Sequence, residues 1–160
     1  MSRAFVKEGD GSEVVLRPEP ALPPGTPNLV TPEGAAAFRA RADALAAERR
    51  GLGDSGVDEA RRRAVDDELR WLERRLATFV VTTPPAAPDR ASFGTVVTLE
   101  GEGTRTVRIV GVDEADPVQG AVSWLSPLGR AILGAAVGET VVVPTPRGDE
   151  EWEIVTVRPP

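Results

Sequence analysis

Between residues 82 and 91 the chain reads Thr-Thr-Pro-Pro-Ala-Ala-Pro-Asp-Arg-Ala, and the character of the sequence changes across that run. Proline fixes φ and removes an amide donor, so neither a helix interior nor a central strand can pass through Pro84, Pro85 and Pro88. Upstream, Ala, Arg, Glu and Leu dominate, residues that favour helix. Downstream, Val and Thr recur in short runs, residues that favour strand. A proline-rich segment of this kind is a semi-rigid spacer rather than a floppy one. The expectation is an α+β protein: an antiparallel helical hairpin over residues 31–81, a linker over 82–91 and a strand-rich domain over 92–160.

The hairpin is readable in detail. Thr31-Pro32-Glu33 opens a helix, with Thr31 as N-cap, Pro32 at the first helical position and Glu33 facing the positive end of the helix dipole. Ala35, Phe38, Ala42 and Leu45 follow at spacings of 3, 4 and 3, which is one helical face. Gly51 and Gly53 end this helix near Arg50. A second helix is expected after Asp54-Ser55-Gly56, where Ser55 and Asp58 approximate a capping box. Its apolar face is Val65, Leu69, Leu72 and Leu76, at spacings of 4, 3 and 4. A short Gly-rich turn makes the two helices antiparallel neighbours, with Phe38 and Leu45 against Leu69, Leu72 and Leu76.

Residues 31–80 carry ten basic and ten acidic side chains. Arg61-Arg62-Arg63 alone would read as a nucleic-acid patch. Beside Asp58, Glu59, Asp66 and Asp67 it reads as a solvated face. Residues 1–30 hold Pro18, Pro20, Pro23, Pro24 and Pro27 and few large apolar side chains, so an extended arm is expected there.

Past the linker, strands are expected over 95–99, 105–112 and 121–125, with Gly101-Glu102-Gly103 turning between the first two. Ser126-Pro127 followed by Leu128, Ala131, Ile132 and Leu133, then Gly134, is a short capped helix. Residues 140–143 and 151–157 form a hairpin closed through Pro146-Arg147-Gly148-Asp149. The pattern fits a curved antiparallel sheet with one short helix over a face.

Absences narrow the chemistry. With no Cys, His or Tyr, the chain has no disulfide, no thiol nucleophile, no thiolate zinc site and no imidazole base. No cofactor and no metal site of its own are expected. A net charge of −6 without a concentrated basic stripe disfavours direct duplex binding, which runs on phosphate neutralisation. The first eight residues, Met1-Ser2-Arg3-Ala4-Phe5-Val6-Lys7-Glu8, contain no signal-peptide core, and no segment approaches the roughly 18 apolar residues of a membrane span. A cytoplasmic, membrane-free monomer is the expectation.

Several runs resemble motifs of the Gre family of bacterial transcript-elongation factors. Val30-Thr31-Pro32-Glu33-Gly34 is similar to the family's helix opening, and Phe93-Gly94-Thr95-Val96-Val97-Thr98-Leu99 to the start of its C-terminal domain. Ile109-Val110-Gly111-Val112-Asp113-Glu114-Ala115-Asp116-Pro117 resembles the strand and loop that follow. Ser126-Pro127-Leu128-Gly129-Arg130-Ala131-Ile132-Leu133-Gly134 resembles the short helix, Val137-Gly138-Glu139 the next turn, and Trp152-Glu153-Ile154-Val155 the closing strand.

The resemblance implies an FKBP-like C-terminal domain docked at the rim of the RNA polymerase secondary channel, with the hairpin projecting into it. Leu125, Ser126 and Pro127, with Asp116 in the neighbouring loop, would contact a coiled coil of the largest polymerase subunit. Family-level association with DNA comes through the polymerase. At the hairpin tip, family members place acids that help hold a second Mg²⁺ in the polymerase active site. Here the candidates are Asp54, Asp58 and Glu59, within Gly53-Asp54-Ser55-Gly56-Val57-Asp58-Glu59-Ala60, and the rest of the tip motif is missing. The hairpin looks roughly ten residues shorter than in cleavage-competent members, which at 1.5 Å per residue leaves the tip about 7–8 Å short. The expectation is a polymerase-binding regulator, not itself an enzyme, with little transcript-cleavage activity. The alternatives are a short-hairpin regulator of nucleoside diphosphate kinase like Rnk, a cleavage-competent Gre factor, and a prolyl isomerase, for which Phe93, Trp124 and Trp152 are few aromatics to line a pocket.

Overall fold

The computed structural model describes residues 19–54 and 56–160. Chain order is β1 (Asn28–Val30), α1 (Pro32–Gly51), α2 (Val57–Thr78), β2 (Phe79–Val81), β3 (Val96–Glu100), β4 (Thr104–Val110), a 3₁₀ turn (Pro117–Gln119), β5 (Ala121–Ser123), α3 (Pro127–Ile132), β6 (Thr140–Thr145) and β7 (Gly148–Arg158).

The N-cap of α1 is as the sequence requires: the Thr31 hydroxyl accepts from the Gly34 N–H at 3.0 Å. The expected capping box of α2 rests on Ser55, which lies outside the described residues. The N-cap of α2 is Gly56, without a side-chain cap, and the Asp58 carboxylate accepts instead from the Gly53 N–H at 3.1 Å, which ties the turn to the new helix. Leu45, Val65 and Leu72 are the buried seam between the helices, flanked by Phe38, Ala42, Leu52, Leu69 and Trp71. Outside the seam the helices are laced by ion pairs: Arg41 to Glu68 at 2.7 Å, Arg49 to Asp66 at 2.6 Å and Arg61 to Glu48 at 2.5 Å. The hydrogen bond from Arg61 holds the Glu48 carboxyl below its ordinary pKa, and Glu48 in turn raises that of Arg61.

Residues 28–30, expected as the end of an extended arm, are strand β1. It pairs in parallel with β2, Asn28 opposite Phe79 and Val30 opposite Val81, so the chain entering α1 and the chain leaving α2 are bonded at the base of the hairpin. Residues 1–18 of the expected arm lie outside the described residues.

The C-terminal sheet has the order β5-β4-β3-β7-β6. It is antiparallel except at β5, which pairs in parallel with β4, Arg108 opposite Ala121 and Val110 opposite Ser123. The wholly antiparallel sheet expected from the sequence is corrected there. The loop between β4 and β5 folds through the 3₁₀ turn, and this non-hairpin connection brings β5 back alongside β4 in the same direction. A β-bulge lets Leu99 pair with Ile154 while Thr98 pairs with Thr156, leaving Val155 as the extra residue. Bulges sharpen twist, which curls the sheet around α3. Val97, Leu99, Val107, Ile109 and Ile154 from the sheet meet Leu128 and Ile132 from α3 in a closed core. Ala91, in the segment expected as linker, is buried in that same core and exchanges backbone hydrogen bonds with Gly134 and Ala135 at 2.7 and 2.8 Å. No helix among the described residues is long and apolar enough to cross a membrane.

Candidate functional site

Two places gather the residues singled out from the sequence. The first is the start of α3 and the loop beside it. The Ser126 hydroxyl accepts from the Gly129 N–H at 3.0 Å and donates to the Ser123 carbonyl at 2.6 Å, so it caps the helix and anchors it to β5. The Leu125 N–H donates to the Ser123 hydroxyl at 3.2 Å. Pro127 opens the helix and is exposed. Across from them, the Asp116 carboxylate caps the 3₁₀ turn, accepting from the Val118 and Gln119 N–H groups at 3.1 and 3.4 Å.

Pro127 stands between two grooves. One, about 410 Å³, runs between Pro117 and Ser126 on one side and Val143, Pro144 and Trp152 on the other, with Arg105 and Glu150 also on its walls. The second, about 390 Å³, is bounded by Leu125, Arg130, Val142 and Pro144. The structure therefore brings Ser126, Pro127 and the neighbours of Asp116 around one concavity, and turns Leu125 to the other. Trp152 is the aromatic residue in these walls, which is far from the aromatic-lined cavity a prolyl peptide would need.

The second place is the hairpin tip. Asp54 is 98% exposed and carries an ion pair with Arg62, which also donates to the Gly53 carbonyl at 3.2 Å. Asp58 is held by the Gly53 N–H, and Glu59 is paired with Arg63 one turn on. Each candidate acid is thus engaged within the hairpin. The basic triplet is likewise neutralised residue by residue, Arg61 by Glu48, Arg62 by Asp54 and Arg63 by Glu59, as its solvated-face reading requires. Among the described residues, no three Asp or Glu side chains come together in a group that could hold a metal ion. The tip acids do not fit a closed metal site of their own.

A family model described as "Transcription elongation factor, GreA/GreB, C-term" matches residues 85–159. The transcription elongation factor GreB of Pseudomonas aeruginosa is 37% identical over 164 aligned positions, covering 90% of this chain and 97% of the relative. The chain belongs to the GreA/GreB family of transcription elongation factors. GreB of Neisseria meningitidis serogroup A is 44% identical over 109 positions, 66% of this chain and 67% of that protein. Among solved structures, GreA factor homolog 1 of Thermus thermophilus aligns over 83% of this chain and 99% of that one, at 21% identity and a TM-score of 0.40. That superposition is loose, and the GreA/GreB assignment stands on the sequence matches.

The sequence motifs missed a cluster at the base of the hairpin, where Arg75, Asp113, Thr31 and Glu114 meet. Asp113 and Glu114 stand in the quoted strand-loop motif, but Arg75 sits in a helix rich in exposed arginines. The one signal was its place three residues after Leu72, on the buried face.

Proposed function

We propose that this GreA/GreB-family chain binds bacterial RNA polymerase at the secondary channel, docks through Leu125, Ser126, Pro127 and the Asp116 loop, and works there without strong stimulation of transcript cleavage. It contributes no active site of its own. Two grooves meeting at Pro127 would give a partner helix or coiled coil a ridge to seat against. Ser126 is already committed to capping, so its docking role is to hold Pro127 and Leu125 in place.

The observation that carries the non-cleaving reading is the state of the tip. Asp54 and Glu59 each pair with a guanidinium and Asp58 accepts a backbone N–H, so all three point back into the hairpin, and to assist a metal they would have to share or give up these contacts. Length supports the same reading. The hairpin reads as shorter than in cleavage-competent members, and the alignment with the Pseudomonas relative, 164 positions long against 90% of this 160-residue chain, contains gaps on this chain's side. Metal coordination tolerates errors of about 0.2 Å, so a shortfall of even one helical turn, about 5.4 Å, removes it.

The test is to add the purified full chain to arrested elongation complexes beside a cleavage-competent Gre factor. Binding to core polymerase with little shortening of the transcript is the expected result. Restart as efficient as the reference factor overturns the non-cleaving half of the reading, and absence of binding at micromolar concentration overturns the whole.

A further inference from the structure

The two halves of the molecule have separate apolar cores. Among the described residues, one draws on residues 91–157 and the other on residues 38–72, and neither of the two apolar clusters contains members of both halves. Among the contacts that cross between them at the base of the hairpin is a buried polar set, with the exposed Arg108–Glu33 pair at its edge. The Arg75 guanidinium of α2 donates twice to Asp113, Nε to Oδ1 at 2.8 Å and Nη2 to Oδ2 at 2.6 Å, and these side chains are 6% and 2% exposed. Asn28 of β1 donates to the same carboxylate at 2.9 Å and to the Thr78 hydroxyl at 3.0 Å. Beside it, Glu114 accepts from the Thr31 N–H at 3.0 Å, from the Thr31 hydroxyl, and from the Gly111 N–H at 3.0 Å. Thr31 therefore caps α1 with its hydroxyl oxygen while its donors are spent on the C-terminal half.

The fit around these groups leaves no slack. A Cβ on Gly34 would lie 1.9 Å from the Glu114 carboxylate, and a Cβ on Gly111 would lie 2.1 Å from the Leu29 carbonyl. Hydrophobic attraction is non-directional. A bidentate guanidinium–carboxylate pair is directional in both distance and plane. A buried ion pair gives little net stability, because desolvation offsets the attraction, and its best use is to specify one arrangement among several.

We propose that this polar clasp, Arg75 with Asp113 and Thr31 with Glu114, sets the direction in which the hairpin projects from the C-terminal sheet, and that these four are positioning residues for the reach of its tip. The clasp holds both ends of the hairpin: Thr31 stands at the entry to α1, and Arg75 one turn before the exit of α2. The geometry is a property of the free chain and stands whether or not polymerase is the partner.

The absence of cysteine makes the test direct. In the full chain, Val57 near the tip and Val137 in the C-terminal half, 91% and 57% exposed, are changed to Cys and spin-labelled, and the distance distribution between the labels is measured. The expected result is one narrow distribution in the labelled parent, and a severalfold broader one in Asp113→Ala and in the milder Glu114→Gln, with helix content and the near-ultraviolet tryptophan signal unchanged. A role in folding alone would broaden the distances only where helix content and the tryptophan signal fall with them. A broad distribution in the parent overturns the proposal. So does a narrow one in every variant that keeps its helix content; should Asp113→Ala unfold, Glu114→Gln and Arg75→Lys decide.

Discussion

The helical hairpin and the C-terminal sheet are held by different forces. The sheet and α3 close over eleven buried apolar residues. The hairpin buries three in its seam and surrounds them with ion pairs. Exposed pairs contribute between nothing and about 1 kcal/mol each, and helices such as these, of 20 and 22 residues, owe most of their stability in a protein to packing of the apolar face. The lesson is a division of labour. The C-terminal half is fixed by apolar packing, whereas the hairpin is thin, charged and dependent on its base.

The sharpest way to break this comparison is to cut the same volume from each half. Ile154, with no exposure, faces Leu99 in the centre of the sheet, so Ile154→Ala leaves a cavity that cannot collapse and costs about 4 kcal/mol. Leu72→Ala opens a seam whose neighbours are half-exposed and free to relax, at about 2–3 kcal/mol. In denaturant titrations, Ile154→Ala is expected to unfold the sheet early. Leu72→Ala is expected to melt helical signal first while Trp124 and Trp152 keep a folded environment. One shared transition in Leu72→Ala would show that the two cores behave as one.

How far these halves were legible follows from the same difference. Alternation in Val-Val-Thr-Leu-Glu at 96–100, and the 3- and 4-residue spacing of Phe38, Ala42 and Leu45, report burial directly, so the sheet and hairpin could be read from periodicity. Strand β1 could not, because three residues carry no period and its partner lies 51 positions on, Asn28 against Phe79. The parallel pairing of β5 was hidden because strand composition does not state direction. Arg75 reads as surface like its neighbour Arg74, and only the fold shows that Asp113 waits for it. At the site, Ser126-Pro127 was legible as a cap because capping is local. The pairing of Asp54 with Arg62 depends on how the turn closes.

A smaller effect separates docking from capping at Ser126. Removing the hydroxyl in Ser126→Ala costs about 1 kcal/mol, the usual loss of an N-cap. Ser126→Asp keeps the cap acceptor, loses the donor to the Ser123 carbonyl as Ser126→Ala does, and puts a carboxylate at the groove beside Pro127. If this patch is the docking surface, Ser126→Asp loses polymerase affinity at least tenfold more than Ser126→Ala, which gives up the Ser123 bond without adding charge. Unchanged affinity in Ser126→Asp would return the residue to a purely local role.

The smallest effect probes the edge of the junction. Glu33 sits in the first turn of α1, and its backbone hydrogen bond there, then the hydrogen bond from Arg108 at 2.9 Å, hold its carboxyl below the ordinary glutamate pKa. A carboxyl whose pKa is lower folded than unfolded stabilises the fold at pH values above the unfolded pKa, and that contribution disappears as pH falls through the folded one. The Glu33 side chain is 60% exposed, so solvent screens the effect to about 0.5 kcal/mol. The stability difference between the parent and Glu33→Gln, followed by denaturant titration, is expected to favour the parent at pH 7. It should shrink steadily once pH passes below about 4.3, the unperturbed value for glutamate. A difference that grows in acid would mean that the charge at position 33 opposes the fold and that Arg108 has another partner. The same substitution leaves Arg75, Asp113 and Glu114 in place, so the width of the label distance distribution should not change with it. A broadening there would move part of the hairpin's direction from the buried clasp to this exposed pair.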